Sequence, residues 1–112
     1  MSTDRIIVLG GSGFLGSHII KALQKSGMGG VACGDLVYND SLNCEYVKLD
    51  MLDINDITKR VDNFDIIINS IGQVTQPFNV CFKLNSIGIT NLAKALSDKS
   101  AHLIHISTVS VY

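Results

Sequence analysis

One junction constrains this chain more than any other, and it lies within the first sixteen residues. Ile6-Ile7-Val8-Leu9 is a continuous β-prone run, which suits a strand buried on both faces. Gly10-Gly11-Ser12-Gly13-Phe14-Leu15-Gly16 follows, and then Phe14, Leu15, His18, Ile19, Ala22 and Leu23 recur at helical spacing up to a stop at Gly27. A strand that turns into a helix through glycines spaced G-x-x-G-x-x-G places main-chain amides at the positive end of a helix dipole, open to an anion. Gly10 permits the tight turn, Gly13 lets main-chain N–H groups approach a diphosphate, and Gly16 lets helix and strand pack closely. A glycine trio alone could be no more than a turn. Its place between a strand and an amphipathic helix is what points to nucleotide binding. No Gly-Lys-Ser/Thr follows, which excludes a P-loop.

The remainder of the chain repeats the alternation. Val31-Ala32-Cys33, Tyr46-Val47-Lys48-Leu49, Asp65-Ile66-Ile67-Ile68-Asn69 and His102 to Ile106 read as further strands. Asp53 reads as the N-cap of a brief helix through Arg60, with Asp56 in its first turn. Val80, Leu84, Ile87, Leu92, Ala95 and Leu96 mark one face of a longer helix. This order predicts an α/β fold, a Rossmann-like doubly wound parallel sheet of about five strands. There is one proline and no low-complexity stretch or repeat, so the 112 residues form one domain.

Composition narrows the function classes. Apolar residues make up 46% and charged residues 17%, as in a globular protein. A net charge of −1 argues against nucleic-acid and membrane partners. Cys33, Cys44 and Cys81 are odd in number and unpatterned, so reduced thiols are expected rather than disulfides or a zinc site. His18, His102 and His105 have no carboxylate or cysteine spacing around them and read as packing or surface residues. The polar start, with only a short apolar run behind it, matches no signal peptide or membrane span, which weighs toward the cytoplasm.

Asp35 stands 19 residues after Gly16, at the end of the second strand. A carboxylate there accepts hydrogen bonds from an adenosine ribose and repels a 2′-phosphate. No Lys or Arg occurs between Gly29 and Val47 to hold such a phosphate, so NAD is favoured over NADP. Without the glycine loop, Asp35 would read as an ordinary turn residue.

Five segments, in order, resemble the extended short-chain dehydrogenase/reductases, the NAD-dependent epimerase/dehydratase family of sugar-nucleotide enzymes. Leu9 to Gly16 is similar to the family's TGGxGFxG loop, with leucine in place of threonine, and brings Phe14 and Leu15 to the cofactor beside Gly10, Gly13 and Gly16. Asp35-Leu36 matches the acidic end of strand two. Leu49-Asp50-Met51-Leu52-Asp53 resembles the segment after strand three, which implies adenine contacts for Asp50 and Met51; a helix-capping loop is the competing reading and suits Asp53 better. Ile68-Asn69-Ser70-Ile71-Gly72-Gln73 stands where the family runs its main chain along the cofactor, implicating Ile71 and Gly72, although Ile71 replaces a small alanine. Asn85-Ser86-Ile87-Gly88-Ile89-Thr90-Asn91-Leu92 resembles N-x-x-G-T-x-N-L, with Asn85 on the cofactor side.

His105 to Tyr112 resembles the family's strand-five ending, which implies a cofactor contact for Ser107 and makes Thr108 the catalytic hydroxyl, bonded to the reacting sugar oxygen. The resemblance also implies a downstream Y-x-x-x-K pair as general acid/base. Tyr38 and Tyr46 have Leu42 and Asp50 four residues on, and Tyr112 belongs to the V-Y dipeptide, so none supplies it. The expectation is therefore an incomplete NAD-binding portion of an enzyme acting on a nucleotide-sugar, its substrate domain and Tyr/Lys pair absent and the piece itself inactive. Exposed apolar surface and self-association, a homodimer included, are expected with it. A non-catalytic NAD(H)-binding regulator or accessory subunit of the same fold is the alternative. A methyltransferase is disfavoured, since its glycine loop runs G-x-G-x-G and the Ser-Thr pair would go unexplained.

Overall fold

The computed structural model describes residues 4–70, 89–95 and 102–105. The order is β1 (Ile6–Leu9), α1 (Phe14–Lys25), β2 (Val31–Asp35), a 3-10 turn (Asp40–Leu42), β3 (Glu45–Lys48), α2 (Ile54–Val61), β4 (Ile66–Asn69), α3 (Ile89–Ala95) and β5 (His102–His105). The five strands form one sheet in the order β3-β2-β1-β4-β5. Every pairing is parallel, with Ile6 opposite Val31 and Ile66, Ala32 opposite Glu45, and Ile66 opposite His102. This is a Rossmann-like α/β fold.

Strand direction and the pleat explain the two cores. Along β1 the side chains alternate, Ile7 and Leu9 to one face and Ile6 and Val8 to the other, and all four are buried. Ile7 and Leu9 pack with Ile57 and Val61 of α2 and Leu92 of α3. Ile6 and Val8 pack with Ile20 of α1 and Leu42 of the 3-10 turn. A central strand covered on both faces has to be apolar throughout, hence the unbroken run Ile6–Leu9.

Helix ends follow local chemistry. Gly27, at φ 86°, closes α1, and Met28 N–H returns to the Leu23 carbonyl at 3.1 Å. That is the Schellman arrangement glycine favours. Asp53 caps α2 by accepting from the amides of Asn55 and Asp56. Boundaries differ slightly from the pattern reading. β2 runs on through Gly34 and Asp35, β3 sits one residue earlier than Tyr46–Leu49, and β4 starts at Ile66 because Asp65 turns its carboxylate to the Arg5 amide at 2.8 Å. Of the expected 80–96 helix face, Leu92 is buried in the core, while Val80, Leu84, Ile87 and Leu96 lie outside the described residues. Among the described residues no helix is long and apolar enough to cross a membrane.

β1 feeds outward to β2 and β3, and the chain then recrosses to place β4 on the other side of β1. This reversal of strand order places a switch point between β1 and β4, and open α/β sheets form their ligand crevice at the carboxyl ends of the strands there. The glycine loop leaves β1 at that end.

Candidate nucleotide-binding site

The loop after β1 is built for close approach of main chain. Gly10 takes φ 77°, a conformation side chains rarely adopt. Its amide donates to the Gly34 carbonyl at 2.7 Å, tying the loop to β2. A Cβ on Gly16 would lie 2.2 Å from the Gly10 oxygen and 2.8 Å from Gly11 Cα, so no side chain fits there. The first helical hydrogen bond runs from Ser17 N–H to the Gly13 carbonyl at 2.9 Å. The amides of Phe14, Leu15 and Gly16 come before it and have no partner within the helix. Gly13 offers no side-chain cap, and the first turn of α1 carries no acidic residue. Phe14 is 80% exposed, its ring 4.5 Å from that of His18, and Leu15 is exposed, so neither of these bulky side chains plugs the corner.

Asp35 ends β2 beside this corner and is held at both carboxylate oxygens and at its carbonyl. Its Oδ2 accepts the Ser12 amide at 3.1 Å and its Oδ1 the Leu36 amide at 2.7 Å. Its carbonyl accepts the Leu49 amide at 3.1 Å and the Tyr46 hydroxyl at 3.0 Å. Burial pushes the Tyr46 phenol above its ordinary value, helped by the Asp35 charge, so the hydroxyl keeps its proton and donates. Beneath the loop the Cys33 thiol is buried, and burial raises its pKa against the opposing Ser12 hydrogen bond. It is a packing thiol, since the thiolate is the reactive form. Leu36 and Val37 follow Asp35 with exposed side chains.

Asp50 sits in the loop after β3. Its amide donates to Asp56 Oδ2 and its own Oδ1 accepts from Leu52 N–H, both at 2.9 Å. The Met51 side chain is buried in the core with Ile57 and Leu92, which leaves its main chain for any contact with a ligand. The Met51 carbonyl is in turn held by the Asn91 side chain of α3 at 3.2 Å. Ile71, Gly72, Asn85, Ser107 and Thr108 lie outside the described residues.

The structure thus brings together Gly10, Gly13, Phe14, Leu15, Gly16, Asp35 and Leu36 at the carboxyl ends of β1 and β2. Ser12, Tyr46 and Asn91 were not singled out from sequence. Ser12 is the one hydroxyl in the loop, a signal that was available; Tyr46 and Asn91 act through contacts that only folding creates. A cavity of about 580 Å³ lies instead around Gln24, Met28, Gly30, Asn43 and Cys44, at the amino end of β2. It carries no anion-binding loop and stands at the wrong end of the sheet for the crevice of this fold.

The model of the NAD dependent epimerase/dehydratase family matches residues 6–112. The chain belongs to this family. Solved structures share the fold. Uronate dehydrogenase from Agrobacterium tumefaciens, in a complex with NAD, aligns at TM-score 0.79 and 28% identity over 94% of this chain and 41% of that one. UDP-glucose 4-epimerase from Thermus thermophilus, also with NAD, aligns at 0.69 and 26% over 82% of this chain and 33% of that one. UDP-N-acetylglucosamine 4-epimerase from Bacillus cereus aligns at 0.79 over 98% and 37%; at 22% identity it shows the fold alone. The chain spans between a third and about two fifths of the length of these structures. No curated protein matches it.

Proposed function

We propose that this epimerase/dehydratase-family chain binds NAD at the glycine-loop corner and forms the cofactor half of an enzyme that epimerises or dehydrates a nucleotide-sugar. The observation that carries the reading is the Asp35 carboxylate bonded to the Ser12 amide beside an uncapped helix start. The amides of Phe14, Leu15 and Gly16 bind the diphosphate, favoured by the helix dipole. Asp35 still has acceptor capacity on both oxygens and takes the ribose hydroxyls. Its charge repels a 2′-phosphate, and no cation stands between Gly29 and Val47 to offset that. Exposed Leu36 offers an apolar surface to the adenosine end.

Bound NAD supplies the acceptor and donor of hydride at a sugar carbon. The role of Thr108 is to donate a hydrogen bond to the reacting oxygen. Main chain at Ile71 and Gly72, with Asn85 and Ser107, lines the cofactor path.

Calorimetric titration with NAD, NADP and adenosylmethionine tests the reading. NAD is expected to bind, NADP far more weakly and adenosylmethionine not at all. Asp35→Asn removes the charge from the ribose hydrogen bonds, worth about 1.5–3 kcal/mol, and lowers NAD affinity about 10- to 100-fold. Equal affinity for NAD and NADP, or an Asp35→Asn variant that binds NAD unchanged, would overturn it.

A further inference from the structure

We propose that Ser12 is a positioning residue for recognition of the adenosine ribose, clamping the turn from Asp35 to Val37 so that the Asp35 carboxylate is held at a set distance from the diphosphate corner. The proposal rests on the nucleotide-binding reading above and assigns a specificity role to a loop residue outside the glycine pattern. Ser12 grips the turn leaving β2 at two points. Its amide donates to Asp35 Oδ2 at 3.1 Å, and its hydroxyl donates to the Val37 carbonyl at 2.6 Å. The Leu36 amide closes on Oδ1 at 2.7 Å, so the turn is fixed at the residue that carries the carboxylate and at the two residues after it. The same hydroxyl lies 3.4 Å from Cys33 Sγ, which seats the Ser12 side chain against β2.

The two bonds differ in what they ask of Asp35. The amide–carboxylate bond uses an oxygen that ribose recognition also needs. The hydroxyl–carbonyl bond holds the turn through its main chain and leaves the carboxylate lone pairs to the ligand. Without the hydroxyl, the Val37 carbonyl returns to water at little cost to stability, because Val37 is 69% exposed. Ser12 is then tied to the turn through the carboxylate alone, and any shift between loop and turn takes the carboxylate with it. The consequence falls on ligand selection more than on folding.

Ser12→Ala and Ser12→Thr in the full chain test this. Expected for Ser12→Ala is NAD binding weaker by about two- to tenfold, the equivalent of one net hydrogen bond, with NADP affinity unchanged and the NAD:NADP ratio therefore narrowed. Amide hydrogen exchange at residues 36–38 should speed up without ligand present, the melting temperature should barely move, and Ser12→Thr should restore both binding and protection. An unchanged ratio and unchanged exchange in Ser12→Ala would overturn the proposal. So would a parallel loss of NAD and NADP together with a lowered melting temperature, which marks a packing role. A wild-type chain that binds neither nucleotide overturns the parent reading and this one with it, an outcome visible from the unmodified chain alone.

Discussion

Asp35 and the side chains around it show how a carboxylate is fixed by neighbours of ordinary type. The carboxylate owes its placement to a serine amide, its own following amide and a tyrosine hydroxyl, none of them charged. Cys33 lies under the same loop and carries a pH consequence. Burial raises its thiol from an ordinary value of 9.0. Below that value folded and unfolded chains both keep the proton, and its contribution to stability is fully present. Above it the unfolded chain releases its proton first, so stability falls as pH climbs toward the raised native value. Tyr46 acts in the same sense above its ordinary 10.0. Urea midpoints measured between pH 8 and pH 10 should decline, and Cys33→Ala should flatten the lower part of that decline.

The strand–loop–helix unit and α2 carry separable roles, which two substitutions can pull apart. In Gly16→Ala the new methyl would meet the Gly10 carbonyl at 2.2 Å, with main chain on both sides of the clash. Overpacking of this kind costs about 1–3 kcal/mol and moves the amides of the corner, so both melting temperature and NAD affinity should fall. Asp53→Ala removes the cap that accepts from the Asn55 and Asp56 amides, at about 0.5–2 kcal/mol. Its carboxylate bonds the first-turn amides of α2 rather than the glycine loop, so melting should drop while NAD affinity per folded molecule holds. Loss of NAD binding in Asp53→Ala would mean that α2 supports the corner more directly than these contacts allow. The G-x-x-G-x-x-G spacing and the Asp53 cap were both legible from sequence because each depends on bonds within a few residues. The one-residue shift of β3 was not, because the register of β3 is set by its pairing with β2, a partner distant in sequence.

For the molecule as a whole, β5 stands at one end of the described sheet, with Leu103 and Ile104 both exposed at 40% and 43%. Neighbouring residues on a strand point to opposite faces, so apolar surface shows on both sides of this edge. Such an edge favours pairing with another chain. Sedimentation velocity on the 112-residue chain should therefore show concentration-dependent association, and Leu103→Lys with Ile104→Lys should shift it toward monomer. A monomer at every concentration would contradict this.

The alternation of β-prone runs and helix-period segments already determined a parallel α/β sheet, because burial on two faces demands continuous apolar strands and one-sided helices. The glycine spacing was legible in the same way, because the turn at Gly10 and the room kept at Gly16 follow from short-range sterics. Tertiary structure alone decided the rest. It turned the Met51 side chain into the core, set Tyr46 on the Asp35 carbonyl and brought Ser12 across to Val37, 25 residues away in sequence. Those contacts join segments whose separation along the chain says nothing of their distance in space, and it is packing of β1 against β2 that makes them neighbours.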